Sequence, residues 1–208
     1  MEEYTRINGM RRPEALHPQV YHTAHFEENK RMCRRGEQLI ALCNSLRANC
    51  KKEYLAAFIE LIYYPAVASA NLLLMQLWAG MNAFYAQAGM SLANRYATRV
   101  ERTIEHDAAL IEEYHGIADG KWNHMMSSAH IGFCAWNDEG WQYPVAQTVY
   151  GVKGARPALR LSGEERIYLG GSVSIMTPRA GGAVRVELLN GGVEKVTFSV
   201  VTEGECSV

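Results

Sequence analysis

The sequence predicts an α+β protein, mostly α: an antiparallel helical bundle followed by a small antiparallel β-sheet or partial β-sandwich. Apolar residues recur at helical spacing through the first two thirds, whereas short β-branched or alternating runs fill the end of the chain. Eight glycines lie in residues 1–150 and ten in residues 151–208, while Trp78, Trp122, Trp136 and Trp141 all fall in the first part. Composition agrees with a folded globular chain, since 48% of the 208 residues are hydrophobic and 21% charged. A net charge of −1 excludes a chain-wide electrostatic grip on nucleic acid.

Residues 1–16 read as an extended lead-in and residues 17–120 as the bundle. From about Ala24 to Ala48, the residues Met32, Leu39, Cys43 and Leu46 recur at helical spacing, with Gly36 filling one turn of the stripe. A second pattern starts near Lys51 and places Tyr54, Phe58, Leu61 and Ile62 on one side. Pro65 then kinks that helix or starts a new one, because its ring removes an interior hydrogen bond. The next helix, about Ala66 to Gln87, is apolar or small nearly all round and reads as the central, most buried element. Gly89 is placed to end it and Ser91 to cap its successor. There Leu92, Tyr96, Val100, Ile104, Ile111 and Tyr114 form the apolar stripe, closed by Gly116 and Gly120. Connections this short make neighbouring helices antiparallel.

Residues 151–208 form the β-domain, short enough to be incomplete. Arg166–Leu169, Val173–Met176, Ala183–Leu189 and Lys195–Thr202 are the expected strands, and Asn190-Gly191-Gly192 is the expected hairpin turn. In the third strand Val184, Val186 and Leu188 face opposite Arg185 and Glu187.

Between Leu61 and Asn94 there is no Asp, Glu, Lys or Arg. Pro65, Asn71, Gln76 and Asn82 interrupt this stretch, so no run reaches the roughly 18 apolar residues of a membrane span. A core helix is the better reading. Met1-Glu2-Glu3-Tyr4 begins no apolar signal segment. The five cysteines, Cys33, Cys43, Cys50, Cys134 and Cys206, are odd in number, contain no C-x-x-C pair and make no disulfide framework.

Few residues carry chemistry. Arg95, Arg99 and Arg102 line one helical face, a match for an anion such as a carboxylate sugar or phosphate, though a solvated face is the simpler explanation. His124, His130 and Cys134 have no tetrahedral metal spacing, so no bound metal is expected, and no cofactor is expected because no cofactor motif occurs. Residues 121–150 are denser. Trp122, Asn123, His124, His130, Trp136, Trp141 and Tyr143 combine flat aromatic faces with hydrogen-bonding groups, which suits a carbohydrate contact. An interdomain plug, an aromatic wedge that needs no ligand, is the better reading of the same residues.

The run Gly120-Lys121-Trp122-Asn123-His124-Met125-Met126, followed by His130-Ile131-Gly132-Phe133 and Trp136, resembles the C-terminal half of glycoside hydrolase family 115, the xylan α-glucuronidases. Tyr64-Pro65-Ala66-Val67-Ala68-Ser69-Ala70-Asn71-Leu72 resembles that family's bundle. Tyr4-Thr5-Arg6-Ile7-Asn8-Gly9-Met10-Arg11-Arg12-Pro13-Glu14 resembles its lead-in from the barrel. Arg185-Val186-Glu187-Leu188-Leu189-Asn190-Gly191-Gly192 resembles an early strand of its β-domain. The resemblance implies a parent enzyme that removes glucuronate side groups from xylan with inversion. Its reacting carboxylates belong to a barrel with no counterpart here, so no catalytic residue carries over.

This chain is then expected to be a non-catalytic scaffold whose partner is the missing upstream barrel domain. A xylan-derived, glucuronate-bearing oligosaccharide is the implied ligand, with no nucleic-acid or membrane partner. Open sheet edges offer a route to a homodimer. The competing readings are a free-standing carbohydrate-binding module using Trp136, Trp141 and Tyr143, and a helical protein-interaction domain.

Overall fold

A computed structural model describes residues 1–131, 142–170 and 184–199. Among these, the helices are α1 (Glu2–Met10), α2 (Glu28–Ala48), α3 (Leu55–Phe58), α4 (Tyr64–Gln87) and α5 (Leu92–Gly116). The strands are β1 (Pro157–Leu161), β2 (Ile167–Tyr168) and β3 (Val186–Asn190). The described residues are mostly α, with one small antiparallel sheet, as expected from the sequence.

The lead-in departs from expectation, because residues 2–10 are helical rather than extended. Glu2 and Glu3 occupy the first turn of α1, and Arg6 pairs with Glu2 one turn away at 2.8 Å. Ile7 is the residue α1 buries.

α2 and α4 run antiparallel. Asn29, Gly36 and Asn44 of α2 meet Leu77, Leu74 and Tyr63 respectively, so position rises on one helix as it falls on the other. Met32, Leu39 and Cys43 are buried as the stripe predicts, but Leu46 is 48% exposed. Gly36 lets the helices approach, since a Cβ there would lie 3.2 Å from the Leu74 side chain. α5 is antiparallel to α4, with Asn71 donating to the Thr103 carbonyl and Asn82 to the Ala93 carbonyl. α4 therefore lies between α2 and α5 and is the core helix. The continuous helix Lys52–Gln87 has the length and apolarity of a membrane span, yet 61% of its most apolar window is buried inside the protein.

Pro65 stands at the start of α4, one of the two outcomes expected of it. A five-residue π-helical segment, Ile59–Tyr63, leads into α4, and Pro65 falls in the first turn, where its missing N–H costs nothing. The wider turn also rotates the phase of the helix. Ile59 and Tyr63 face the core, whereas Tyr54 and Leu61, expected on the apolar side, are exposed. The buried face of α5 is likewise offset: Val100 and Tyr114 are buried as expected, but beside Thr103 and Asp107, two polar residues a hydropathy stripe skips.

The sheet has the order β2-β1-β3, with Leu159 opposite both Tyr168 and Leu188, and Arg160 opposite both Ile167 and Glu187. β1 was not among the expected strands; Arg160 breaks its apolar pattern. Residues 195–199 are not a strand, and Val173–Met176 lies outside the described residues. Asn190-Gly191-Gly192 makes no hairpin either. It lies against residues 152–156, where Gly191 N–H donates to the Arg156 carbonyl and Val193 N–H to the Val152 carbonyl. In β3 the face toward the bundle is the one carrying Glu187 and buried Leu189, while Val186 and Leu188 are exposed.

The sheet packs on the junction of α4 and α5, where Ala158 and Leu189 join Tyr85, Met90 and Ala93 in one apolar cluster. Gly89 has φ +68°, the left-handed conformation that ends α4 as predicted. Ser91 does not cap α5 with its side chain. Its hydroxyl and its N–H both donate to the Asn190 carbonyl of β3, at 2.6 and 3.0 Å.

Candidate functional site

The bundle and the sheet meet around a half-buried carboxylate. Glu187 accepts from the Arg160 Nε at 2.8 Å, from the Tyr85 hydroxyl at 2.8 Å and from the Lys30 ammonium. These donors come from β1, α4 and α2. Arg160 is fully buried, its guanidinium carbon 5.3 Å from the Phe84 ring centroid, and it also donates to the Glu164 carbonyl at 3.0 Å. Burial pushes the Glu187 carboxyl up, but the Arg160, Lys30 and Tyr85 donors outweigh it and hold the group down to about 2. Burial pushes the Tyr85 phenol well above its ordinary range, so it remains a donor. Glu187 is thus a fixed anion that ties three elements together.

Two clefts flank this knot. The larger, about 670 Å³, is lined by the loop Pro18–Thr23, by Gly80, Phe84 and Gln87 of α4, and by Glu165 and Ile167 of the sheet. At its mouth the His22 Nε2 lies 2.9 Å and the His25 Nε2 3.3 Å from Glu165 Oε1, and the two imidazoles stack at 4.2 Å. The ligand atoms of this trio lie within 4.8 Å of one another, close enough to share a metal ion. The tautomer argues otherwise. His22 Nδ1 accepts N–H groups from Ala24 at 3.1 Å and His25 at 2.9 Å, which leaves the ring proton on Nε2, pointing at Glu165. A metal would need that nitrogen's lone pair, so His22 instead donates to the Glu165 carboxylate. Sequence reading missed it because Glu165 is far from the histidines in the chain, and a lone His-x-x-His pair is not specific.

The aromatic segment behaves unevenly. Trp122 packs against the main helical core, with Lys121 Nζ 4.5 Å from its ring centroid. Asn123 and His124 are exposed, and the His124 ring lies 6.1 Å from that of His115. His130 turns toward α5: its Nε2 lies 3.0 Å from both oxygens of buried Asp107, and its Nδ1 3.3 Å from the Ser128 carbonyl. Both ring nitrogens face acceptors, which fits the imidazolium. Burial alone would depress the His130 pKa, but Asp107 outweighs it and the value is raised. Next to Asp107 in the chain, His106 has its pKa lowered by burial, and its Nδ1 lies 3.2 Å from Asn71 Oδ1. Tyr143 is 40% exposed, and burial of part of its ring raises its pKa. Trp136, Trp141 and Cys134 lie outside the described residues.

Beyond the segment, Asn82 and Asn94 hold residues 147–149 by imitating a strand partner. The Asn82 amide donates to the Gln147 carbonyl at 2.8 Å and accepts its N–H at 2.7 Å, and Asn94 does the same with Val149 at 2.9 and 2.7 Å. On α5, Arg95 and Arg102 are exposed, whereas Arg99 folds inward over Trp78 and Tyr96, at 4.9 and 5.9 Å from their ring centroids. The expected three-arginine face is therefore split. Comparison with protein-family models and with curated proteins returns no match for this chain.

Proposed function

We propose that this chain is a non-catalytic scaffold, a rigid bundle-and-sheet unit that supports a larger carbohydrate-active hydrolase of the α-glucuronidase kind. The observation that carries the scaffold reading is the Glu187 knot, which fastens α2, α4, β1 and β3 at one half-buried point. Such a junction fixes the relative position of bundle and sheet, which is what a buttress requires. Trp122 and His130 add to this reading, since both are engaged with the helices and neither forms an open aromatic platform. The choice of parent enzyme rests on the sequence motifs alone.

Incubating the chain with glucuronoxylan tests the absence of catalysis. No uronic acid release is expected, and clear turnover would overturn the proposal. The coding sequence upstream of Met1 tests the parent: an in-frame barrel supports it, and a stop codon contradicts it.

A direct sugar-binding role has one observation in its favour. The larger cleft joins Tyr21 and Phe84 to Gln19, Gln87 and the Glu165 carboxylate, the mixture of ring faces and polar groups that sugars need. Titrating xylo-oligosaccharides by calorimetry separates the readings, because a scaffold gives no saturable heat.

A further inference from the structure

The second cleft, about 340 Å³, has a charge pattern that neither reading uses. Lys30 and Arg34 of α2, Arg99 of α5 and Arg185 just before β3 line it, against the single carboxylate of Glu37. Like charges gathered around one small volume raise its potential and draw in an anion.

The acids nearby offset these cations incompletely. Lys30 is committed to Glu187 and lies 3.5 Å from Glu27. Arg185 approaches Glu27 at 3.6 Å and Arg99 approaches Glu37 at 3.4 Å, both long for charge-assisted hydrogen bonds. The Arg34 Nε is 3.5 Å from the Lys30 carbonyl, at the outer limit of a bond. Three guanidinium groups therefore retain donor capacity at the cleft. Arg99 is also preorganised, because its stacking on Trp78 and Tyr96 fixes the guanidinium before any ligand arrives.

The wall is not wholly polar. Trp78, Met81 and Cys33 give it an apolar side. Burial pushes the Cys33 thiol up to about 12, so it adds no negative charge. Among the described residues the buried Trp78 indole N–H has no conventional acceptor and faces that weakly accepting sulfur. The volume exceeds what a bare inorganic anion fills.

We propose that this cleft binds a small organic anion of sugar size. Its carboxylate or phosphate is held by Arg34, Arg99 and Arg185, and its carbon skeleton lies against Trp78 and Met81. This inference is independent of the scaffold reading, because it depends on the cleft's own charges.

Calorimetry on the full chain at low salt tests it with four probes: glucuronate, glucose 6-phosphate, neutral glucose and inorganic phosphate. Saturable binding of one or both anionic sugars is expected, weakening as salt rises, with none for glucose. The double variant Arg34→Gln/Arg185→Gln alters two exposed side chains, so a thermal melt should show it folded. It should lose affinity by at least about tenfold. Preference between the two anionic sugars identifies the headgroup. The proposal is overturned if neither anionic sugar binds at millimolar concentration, if glucose binds equally well, or if the double variant binds unchanged. Inorganic phosphate binding as tightly as the phosphosugar would overturn recognition of the organic skeleton.

Discussion

Glu187 shows how one side chain reverses the reading of a strand. By hydropathy, Val186 and Leu188 belong inward and Glu187 outward, yet the acid is the residue that faces the bundle. Three donors from other elements make that burial tolerable, and no donor is visible from the strand itself. Replacing Glu187→Gln should leave Arg160 as a buried, poorly compensated cation and cost about 3–5 kcal/mol in urea unfolding. The lowered pKa also sets a pH window. The stabilisation from ionised Glu187 is present above the ordinary carboxyl value of 4.5 and is lost as pH falls from there through about 2. His130 has the opposite sign. Its pKa is raised above the ordinary 6.5, so the stabilising pair with Asp107 is complete below that value and fades as pH rises through the folded-state pKa. The stability gap between the native chain and a His130→Gln variant should therefore narrow between weakly acidic and alkaline pH, as measured by parallel urea melts; a constant gap would contradict the ion pair.

At the scale of elements, periodicity was informative where the core contact is regular. The stripe Met32, Leu39 and Cys43, the central position of α4, and the break at Gly89 were all legible in the sequence. Misreadings have local causes. The π segment Ile59–Tyr63 shifted the helix phase and put Leu61 in solvent, and β1 was hidden because Arg160 interrupts an otherwise short apolar run. The candidate sites were illegible for a different reason: His22 with Glu165, and Arg34 with Arg99 and Arg185, meet only through tertiary packing. Gly80 shows a similar long-range constraint. A Cβ there would overlap the Pro18 carbonyl oxygen, so Gly80→Ala must displace backbone at the larger cleft and should cost about 3 kcal/mol by thermal or urea melting. Asn82→Ala should cost roughly 3 kcal/mol as well, because the Gln147 N–H and the carbonyls of Ala93 and Gln147 lose their partner together. A melt unchanged from the native chain would contradict the docking of residues 147–149.

For the whole molecule, the change in composition near residue 150 suggests two modules, but the contacts join them. Ser91 bonds to Asn190, Asn94 to Val149, and Tyr85 to Glu187, so the junction of α4 and α5 is also the floor beneath the sheet. A buttress that transmits position needs this coupling, whereas two loosely linked modules would not provide it. Cooperative unfolding tests that claim most directly. Urea unfolding can be followed by far-UV circular dichroism for the helices and by hydrogen exchange at the amides of β1 and β3 for the sheet. Coincident transitions are predicted, and both should move to lower urea in the Glu187→Gln variant. A sheet that exchanges freely while the helices remain folded would contradict the account.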